Sequence, residues 1–347
     1  MIRVGIVGYG MAAQVFHLPF LLEHSDFHVQ AIVSSQREAL QSALPEINIY
    51  EDLNAMLERE SLDLVVITTP NHLHYPQAKQ CLEAGIAVVL EKPMTTNFDD
   101  AKRLKALCEQ KNGFLRVFHN RRFDGDYLTV KTLIQEGKLG KIKVFQSHWD
   151  RFRPVVRARW REGSGDGAGI WFDLAPHLLD QALDLFGLPQ AVTARLSILR
   201  EGGLSDDYAH VLLHYPEHEV ILNTSPFQAA PNPRFHIQGT EGTFVKYGLD
   251  PQENHLKEGL RAKDSDYGIE DKALYGTLYR PNQIPEIIPT QRGQFTVFYQ
   301  EIAKALHQPT DESSPLASFN EALNVMRVLE ATIQSALQQR TLLLSSF

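Results

Sequence analysis

The amino-acid sequence predicts an α/β protein in two parts: a doubly wound parallel sheet, then an α/β domain built on an open, mostly antiparallel sheet. Three observations lead to this fold class. The length of 347 residues exceeds what one hydrophobic core usually supports. The first third alternates apolar, β-branched runs with helical patterns, as parallel sheets with helices on both faces do. Beyond about residue 119, strand-like runs follow one another without regular crossover helices, which favours antiparallel pairing.

The elements of the first part are short and regularly spaced. Five apolar runs predict strands, at 2–7, 28–34, 64–68, 86–90 and 114–118. Helical periodicity fills most of the gaps between them, for example at 76–84 and 98–111. We therefore expect residues 1–118 to form the first domain.

The second part begins at residue 119 and runs to 347. Helices are predicted at 124–136 and 171–186, on either side of a glycine-rich turn at 163–169. The strand-like runs are 191–199, 208–214, 219–225 and 234–247. The polar stretch 250–290 has the composition of loops, and a periodic helix at about 316–339 precedes a final apolar run at 342–344. That last helix is a candidate to pack back near the first domain.

Composition excludes several classes of protein. The hydrophobic content of 43% and the charged content of 22% are those of a globular chain. No apolar run approaches the roughly 20 residues that span a bilayer, and a net charge of −8 argues against nucleic-acid binding. Cys81 and Cys108 lie in helical patterns and are interpreted as buried reduced thiols. The first residues already form a strand pattern rather than a signal peptide, so we expect a cytoplasmic protein.

A glycine-rich turn follows the first predicted strand. Gly8, Gly10 and Ala13 match the pattern G-x-G-x-x-A, with Met11 and Ala12 between them. The first glycine permits the tight turn, the second lets backbone approach a pyrophosphate, and the alanine lets helix and strand pack closely. Because the motif lies between a strand and a helix, it predicts a Rossmann domain that binds a dinucleotide.

The end of the second strand bears on the choice of cofactor. An NAD-selective site normally places Asp or Glu about 20 residues after the glycines. Here Ser34 and Ser35 occupy that turn, with Arg37 close behind. Hydroxyls and a guanidinium would bind a 2′-phosphate that a carboxylate would repel. We therefore predict NADP, with NAD less favoured; the alternative is a surface turn whose arginine points to water.

Two further motifs carry titratable groups. Lys92 stands between Glu91 and Pro93 at a strand end, where an ammonium can hold a substrate hydroxyl and stabilise developing charge. Asp173, His177 and Asp180 share one face of a predicted helix, because their steps of four and three are helical-neighbour steps. A histidine beside carboxylates is a suitable acid–base group near neutral pH. The alternatives are a surface lysine and a core histidine.

Two more sequence features call for an interpretation. His72 and His74 lack an obvious third ligand, so we predict turn residues near the nucleotide and no metal. Five arginines between Arg151 and Arg161 form a positive patch. It is interpreted as a solvated face, as intramolecular ion pairs, or as the neighbour of a phosphate-bearing ligand, and not as evidence for DNA or RNA.

Taken together, these motifs resemble the glucose-fructose oxidoreductase / inositol dehydrogenase (Gfo/Idh/MocA) family over nearly the whole chain. The matching segments are Gly8-Tyr9-Gly10, Thr69-Pro70-Asn71, Glu91-Lys92-Pro93, His119-Asn120-Arg121-Arg122, Arg159-Trp160-Arg161 and Asp173 with His177. The segments 118–124 and 151–161 further resemble the NADP-dependent scyllo-inositol dehydrogenase branch. The resemblance implies that Lys92 and His177 are the catalytic pair, with Asp173 in support.

The resemblance also implies which residues surround the ligands. Cofactor contacts are expected from Gly8, Gly10, Met11, Ala12, Ala13, Ser34, Ser35, Arg37, Thr69, Pro70, Asn71, His74, Glu91, Lys92, Asn120, Trp160 and Arg161. Substrate contacts are expected from Arg121, Arg153, Asp173, His177 and Asp180. The expected reaction moves a hydride between nicotinamide and a CH–OH or C=O group of a cyclic polyol or sugar.

Alternatives to this function remain open. Within enzymes, the family likeness also fits an aldose, ketose or anhydro-sugar reductase. A non-catalytic NADP-binding sensor would have lost Lys92 or His177, and this chain retains both. Because the second part contains more strand than its own helices can cover, we also predict a homodimer or a dimer of dimers through that sheet.

Overall fold

The computed structural model describes residues 1–308 and 314–347. These residues form two compact units. Unit 1 comprises Met1–Asn120, Gln252–Tyr267 and Phe295–Leu323; unit 2 comprises Arg121–Pro251, Gly268–Gln294 and Asn324–Phe347. The expected boundary at 118/119 falls close to the change of unit at Asn120, but two later segments that it assigned to the second domain belong to unit 1.

Unit 1 contains a six-stranded parallel sheet in the order β3-β2-β1-β4-β5-β6. Its strands are β1 Ile2–Val7, β2 Phe27–Val33, β3 Asn48–Tyr50, β4 Leu64–Ile67, β5 Ala87–Leu90 and β6 Leu115–Val117. Strand order reverses beside β1, so the sheet is the doubly wound one that the sequence predicts. The three-residue strand β3 was not predicted, because so short a run has no periodicity of its own.

Helices lie between these strands and in the later segments of unit 1. A π-helical turn, Ala13–His17, follows the first glycine-rich loop. The α-helices are α1 Leu18–Glu23, α2 Arg37–Ala43, α3 Leu53–Arg59, α4 His74–Glu83, α5 Phe98–Gln110, and, later in the chain, α8 Gln252–Lys257 and α9 Thr296–His307. Phe298 joins unit 1 because its ring packs edge-on against Phe118, with ring centroids 4.6 Å apart.

Unit 2 contains a nine-stranded sheet in the order β14-β13-β12-β11-β7-β10-β9-β8-β15. Only β7 and β10 pair in parallel among these strands, which confirms the mostly antiparallel sheet. The strands are β7 Ile142–His148, β8 Ala191–Ser197, β9 Tyr208–His214, β10 Glu219–Thr224, β11 Phe235–Gly239, β12 Thr243–Lys246, β13 Gly276–Tyr279, β14 Glu286–Ile288 and β15 Leu342–Leu343.

Three helices complete the described elements: α6 Gly125–Gln135, α7 Ile170–Phe186 and α10 Phe319–Gln338. Helix α7 packs on β9 and β10. Their residues alternate between buried and half-buried, so one face of the sheet is core. Helix α10 begins in unit 1 and continues in unit 2 from Asn324. No helix in the described ranges is long and apolar enough to cross a membrane.

Besides the unpredicted β3 and α9, the structure corrects the element predictions in three places. Strand β7 was missed, because its apolar residues are interrupted by Lys143 and Gln146. The run 234–247 is a hairpin of β11 and β12 rather than one strand. The region 250–290, predicted as loop, contains α8, β13 and β14, each too short to show a period.

Candidate active site

Three loops of unit 1, those after β1, β4 and β5, begin side by side at one edge of its sheet. Strands β1, β4 and β5 are parallel neighbours, so their carboxyl ends lie side by side. Gly8 follows the first, Thr69 comes just after the second, and Glu91 follows the third. This edge is where ligands bind in open α/β sheets, and the order of the strands reverses beside it.

The first loop has the shape that a dinucleotide needs. Gly8 has φ +100° and its N–H donates to the carbonyl of Val33 at 2.9 Å. A Cβ there would lie 2.8 Å from Oγ1 of Thr68, whereas a Cβ at Gly10 would meet nothing within 4 Å. The backbone at Gly10 is therefore open to a close approach, while Met11 beside it is half exposed and Ala13 is buried. The side-chain amide of Gln14 donates to the carbonyl of Tyr9 at 2.9 Å and holds the loop.

A further loop, which follows β2, contains the residues predicted to select the cofactor. Oγ of Ser34 accepts a hydrogen bond from the N–H of Gln36 at 3.0 Å. Ser35 and Arg37 are exposed, and Nη2 of Arg37 donates to the carbonyl of Ile49 at 3.2 Å. Two hydroxyls and one guanidinium are thus on the surface of this loop.

His74 joins the loops that follow β4 and β5. Its ring is fully buried, with Nδ1 2.7 Å from the carbonyl oxygen of Pro93 and Nε2 2.9 Å from that of Thr69. Burial lowers the pKa of this imidazole. Both ring nitrogens face backbone, so His74 fixes the two loops. Of the other residues predicted on the β4 loop, Pro70 precedes the 3₁₀ turn Asn71–Leu73, and Asn71 is buried.

A buried chain of polar groups lies behind Lys92. Oε2 of Glu91 accepts from the N–H of Lys92 at 3.0 Å, and Oε1 lies 3.0 Å from Nε2 of His17. Nδ1 of His17 in turn lies 2.6 Å from the hydroxyl of Tyr299. Burial raises the pKa of Glu91, but the hydrogen bond and charge of His17 and the charge and N–H of Lys92 together outweigh it, so the pKa lies below its usual value. Lys92 is half-buried, and its bond to Pro93 is cis.

In unit 2, helix α7 carries Asp173, His177 and Asp180, as the sequence predicts. Asp206 caps its first turn: Oδ2 accepts from the N–H of Trp171 at 2.8 Å, and its carbonyl accepts from the N–H of Ile170 at 2.7 Å. The positive end of the helix dipole therefore faces a carboxylate.

An indole supports the imidazole of His177. The rings of His177 and Trp149 stack with centroids 5.6 Å apart and an angle of 29°. The guanidinium carbons of Arg121 and Arg234 lie 5.2 and 5.1 Å from the Trp149 ring. Both His177 and Trp149 are buried, so the imidazole is held in a defined orientation.

Two residues predicted to contact substrate also bond to protein groups. Asp180 is buried and accepts from Nε of Arg122 at 2.9 Å and from Nη2 at 2.9 Å. Arg121 is buried beside Trp149, and its Nη1 donates to Oδ1 of Asp124 at 3.4 Å. Both charges are thus paired within the fold. Asn120, a predicted cofactor contact, is buried in unit 1.

The remaining predicted residues lie in the loop before α7. Nε of Arg161 is 3.5 Å from Oδ1 of Asp173, and its guanidinium carbon is 4.6 Å from the ring centre of Trp160. Trp160 is 41% exposed, which is uncommon for so large an aromatic side chain. Arg153 is exposed in the same loop.

Sequence reasoning missed several residues that build these sites. In unit 1 they are His17 and Tyr299, and in unit 2 they are Trp149, Glu162, Arg200 and Asp206. Only Glu162 had a local signal, since it lies three residues after Arg159 in a helical turn and pairs with it at 2.7 Å.

A parallel sheet with an open glycine loop and a lysine at the same edge defines a nucleotide-binding oxidoreductase domain. Models of the oxidoreductase family match the chain in two parts: the NAD-binding Rossmann fold over residues 2–119 and the C-terminal alpha/beta domain over residues 131–344. The chain belongs to the Gfo/Idh/MocA family of oxidoreductases.

Relatives and solved structures are similar over almost all of the chain. An uncharacterized oxidoreductase of Escherichia coli (strain K12), YdgJ, is 42% identical over 347 residues and 99% of both chains. The scyllo-inositol 2-dehydrogenase (NADP(+)) IolW of Bacillus subtilis (strain 168) is 37% identical over 99% of this chain and 96% of its own. The solved structure of a putative oxidoreductase, YvaA of Bacillus subtilis, superposes with a TM-score of 0.94 at 36% identity, over 99% of this chain and 98% of that one.

Proposed function

We propose that the protein is an NADP(H)-dependent oxidoreductase acting on a CH–OH or C=O group of a cyclic polyol or sugar resembling scyllo-inositol. The observation that carries this proposal is the Glu91-Lys92-Pro93 turn, braced from behind by His17, at the same sheet edge as the open loop at Gly10. The similarity to IolW, whose name gives both cofactor and substrate, supports it.

The open backbone at Gly10 and the exposed groups after β2 fit a dinucleotide with a 2′-phosphate. We propose that the loop at 8–13 would hold its pyrophosphate and that Ser34, Ser35 and Arg37 would hold its 2′-phosphate. The further contacts would come from Thr69, Pro70, Asn71, Glu91, Asn120, Trp160 and Arg161, with His74 fixing the loops. When bound, the nicotinamide supplies or accepts the hydride.

Lys92 and His177 would handle the substrate hydroxyl. The ammonium of Lys92 would donate a hydrogen bond to the oxygen and stabilise negative charge that develops on it. The imidazole of His177, oriented by its stack on Trp149, would exchange the hydroxyl proton. Asp173 lies one helical turn before His177 and would support it.

An aldose, ketose or anhydro-sugar reductase is the nearest alternative and uses the same residues. A panel of substrates distinguishes this reductase from the proposed polyol or sugar dehydrogenase. Rates are measured with NADP and with NAD by the absorbance of the reduced nicotinamide. Inositols and aldopyranoses are the first members of the panel. Turnover of scyllo-inositol with NADP supports the proposal; exclusive turnover of open-chain or anhydro sugars favours the alternative. No turnover of any member would leave a non-catalytic NADP sensor.

The cytoplasmic location stays a prediction.

Arg37→Ala tests the choice of cofactor. Losing a charge-assisted contact to phosphate costs on the order of 1.5–3 kcal/mol, so NADP binding should weaken by about that much while NAD binding changes little. Calorimetric titration of both cofactors measures it. Arg103→Ala, on the exposed side of α5, is the matched control. Equal loss for both cofactors, or a wild-type preference for NAD, refutes the assignment.

We also propose a dimer, or a dimer of dimers, through the sheet of unit 2. Leu212 and Ile221 are direct neighbours on β9 and β10, and both are only half-buried. A second copy related by a two-fold axis would cover them. Light scattering at micromolar concentration should give a multiple of the chain mass, and Ile221→Lys should lower it. A wild-type monomer mass contradicts the prediction.

A further inference from the structure

Unit 2 has a concave pocket whose wall is rich in arginine. The space within it, which includes open solvent, is ≈ 470 Å³. We call it the arginine pocket, and its charged lining is Arg151, Arg153, Arg157, Arg159, Arg161, Arg200, Glu162, Asp173, Asp206 and Asp207. Gly169 and Ile170, at the start of α7, form part of the same wall.

The carboxylates of the arginine pocket are largely used by the fold. Glu162 pairs with Arg157, Arg159 and Arg200 at 3.3, 2.7 and 2.9 Å. Asp207 pairs with Arg200 at 3.0 Å. Six arginines therefore share four carboxylates, and the pocket keeps an excess of positive charge.

Among the arginines of the pocket, Arg153 makes its positive charge most accessible to a ligand. Within the described part of the chain, no carboxylate pairs with its guanidinium, and the side chain is exposed. Partial burial, followed by the like charges of Arg157 and Arg159, lowers the pKa of Arg153. Like charges gathered around one guanidinium are stabilised when an anion binds among them.

Asp173 and Asp206 are the two other carboxylates of the lining, and even with both charged the six arginines exceed the four carboxylates by two. Burial raises the pKa of Asp206 to about 6, against the opposing effect of the Trp171 N–H. Its carboxylate accepts a hydrogen bond from the Trp171 N–H at 2.8 Å and is therefore engaged by the helix cap.

We infer that the arginine pocket binds an anionic group, a carboxylate or a phosphate, carried by the polyol or sugar substrate. This inference rests on the proposed function, because Asp173 lines the pocket and lies one helical turn before His177. A substrate held by its anion at Arg153 would present its hydroxyls to Asp173. Guanidinium groups suit both oxyanions, since each accepts paired N–H donors.

Matched neutral and anionic substrates test the inference and show whether the anionic group is a carboxylate or a phosphate. Initial rates are compared for glucose, glucuronate and glucose 6-phosphate, and for myo-inositol and its 1-phosphate. We expect kcat/KM for at least one anionic member to exceed that of its neutral partner. In Arg153→Gln, the ratio of anionic to neutral kcat/KM should fall about 10- to 100-fold, as expected for a lost charge-assisted bond. Arg195→Gln, exposed on β8 and outside the pocket, should keep the ratio.

Binding of inorganic phosphate gives a readout that needs no turnover. With saturating NADP present, so that the 2′-phosphate site is filled, calorimetry should detect phosphate binding to the wild type and a loss in Arg153→Gln. Equal binding to both proteins, or equal kcat/KM for neutral and anionic partners in the wild type, overturns the inference and leaves the proposed function intact. If no polyol or sugar is turned over but phosphate binding depends on Arg153, the proposed function fails and the anion site stands.

Discussion

Each unit buries a glutamate beside its proposed functional residues, and the two glutamates differ in their partners. Glu91 and Glu162 are both 8% exposed. Glu91 lies against one imidazole, that of His17, and one backbone N–H. Glu162 lies against three guanidinium groups and the N–H of Arg157. Their exposed fractions are equal, but Glu91 lies deep in its unit and Glu162 lies in a loop open to solvent, so partners and surroundings together determine what each carboxylate does.

An imidazole can be neutral or charged near neutral pH, whereas a guanidinium is always charged. The region around Glu91 therefore contains little fixed charge, and its carboxylate mainly holds the backbone beside Lys92. The region around Glu162 concentrates fixed charge in a loop that is open to solvent. Burial raises the pKa of Glu162, but the Arg157 N–H and the arginine side chains lower it to about 2. The difference fits the two proposals, a lysine in unit 1 that is oriented through backbone and an anion site in unit 2.

The test with the largest expected effect asks whether both regions serve turnover. General acid–base groups typically contribute about 10²–10⁴-fold, so Lys92→Ala and His177→Ala should each lower kcat/KM by that much. NADPH should still bind, because its pyrophosphate would lie on the loop at 8–13. The two losses should be less than additive if both residues act on one hydroxyl. Steady-state rates and cofactor titration measure these effects, and the pH profile should lose a titrating group in one variant.

Matched controls exist in the same chain. Lys79→Ala and His28→Ala remove a half-exposed lysine, paired with Glu83, and an exposed histidine of unit 1, and should leave turnover unchanged. If His177→Ala keeps near-normal turnover but unfolds more easily, His177 is a core histidine stacked on Trp149. If both variants keep turnover, the reaction is catalysed elsewhere.

The sequence predicts some elements and site residues of both units and misses others. Strands β1, β4 and β5 and helix α7 are continuous patterns, so their periodicity predicts them directly. The loop at Gly8 and the spacing of Asp173 and His177 are likewise local. A local pattern is sufficient to predict these features because their apolar runs and residue spacings are present in consecutive residues, although the strands then pair with distant ones.

The groups that support these residues come from distant parts of the chain. His17 and Tyr299 are 282 positions apart, yet their side chains lie 2.6 Å from each other. Trp149 stacks on His177 across the sheet and helix of unit 2. No periodicity or spacing links such residues, since only the folded sheet brings them together. The short strands β13 and β14 were missed for a related reason: pairing with their neighbours defines them, rather than their own composition.

A smaller effect is expected when Glu162 loses its charge. In Glu162→Gln, the side chain of Arg200, which is 9% exposed, keeps Asp207 but loses one of its two carboxylate partners. Removing a hydrogen-bonded buried charge costs on the order of 1.5–3 kcal/mol, so the free energy of unfolding should fall by about that much. Urea unfolding followed by circular dichroism measures it, with the exposed neighbour variant Glu201→Gln as the control. Equal stability of the wild type and Glu162→Gln would show that solvent already screens the cluster.

The smallest expected effect is the pH dependence of the difference in free energy of unfolding between the wild type and Glu162→Gln. The pKa of Glu162 is lowered from 4.5 to about 2 in the folded chain, so the unfolded chain binds the proton more tightly. The stability that the carboxylate contributes is therefore complete above about pH 4.5 and is lost as the pH falls towards 2. Other carboxylates with lowered pKa values, such as Asp63 and Asp184, titrate in both proteins and cancel in the comparison. The free energies of unfolding of the wild type and Glu162→Gln, measured from pH 7 down to the lowest pH at which both remain folded, should converge as the pH falls. If the difference between the two free energies of unfolding stays constant with pH, the three arginines do not hold the Glu162 carboxylate in its charged form. Glu162 and Glu91 would then not differ in the way that their partners suggest.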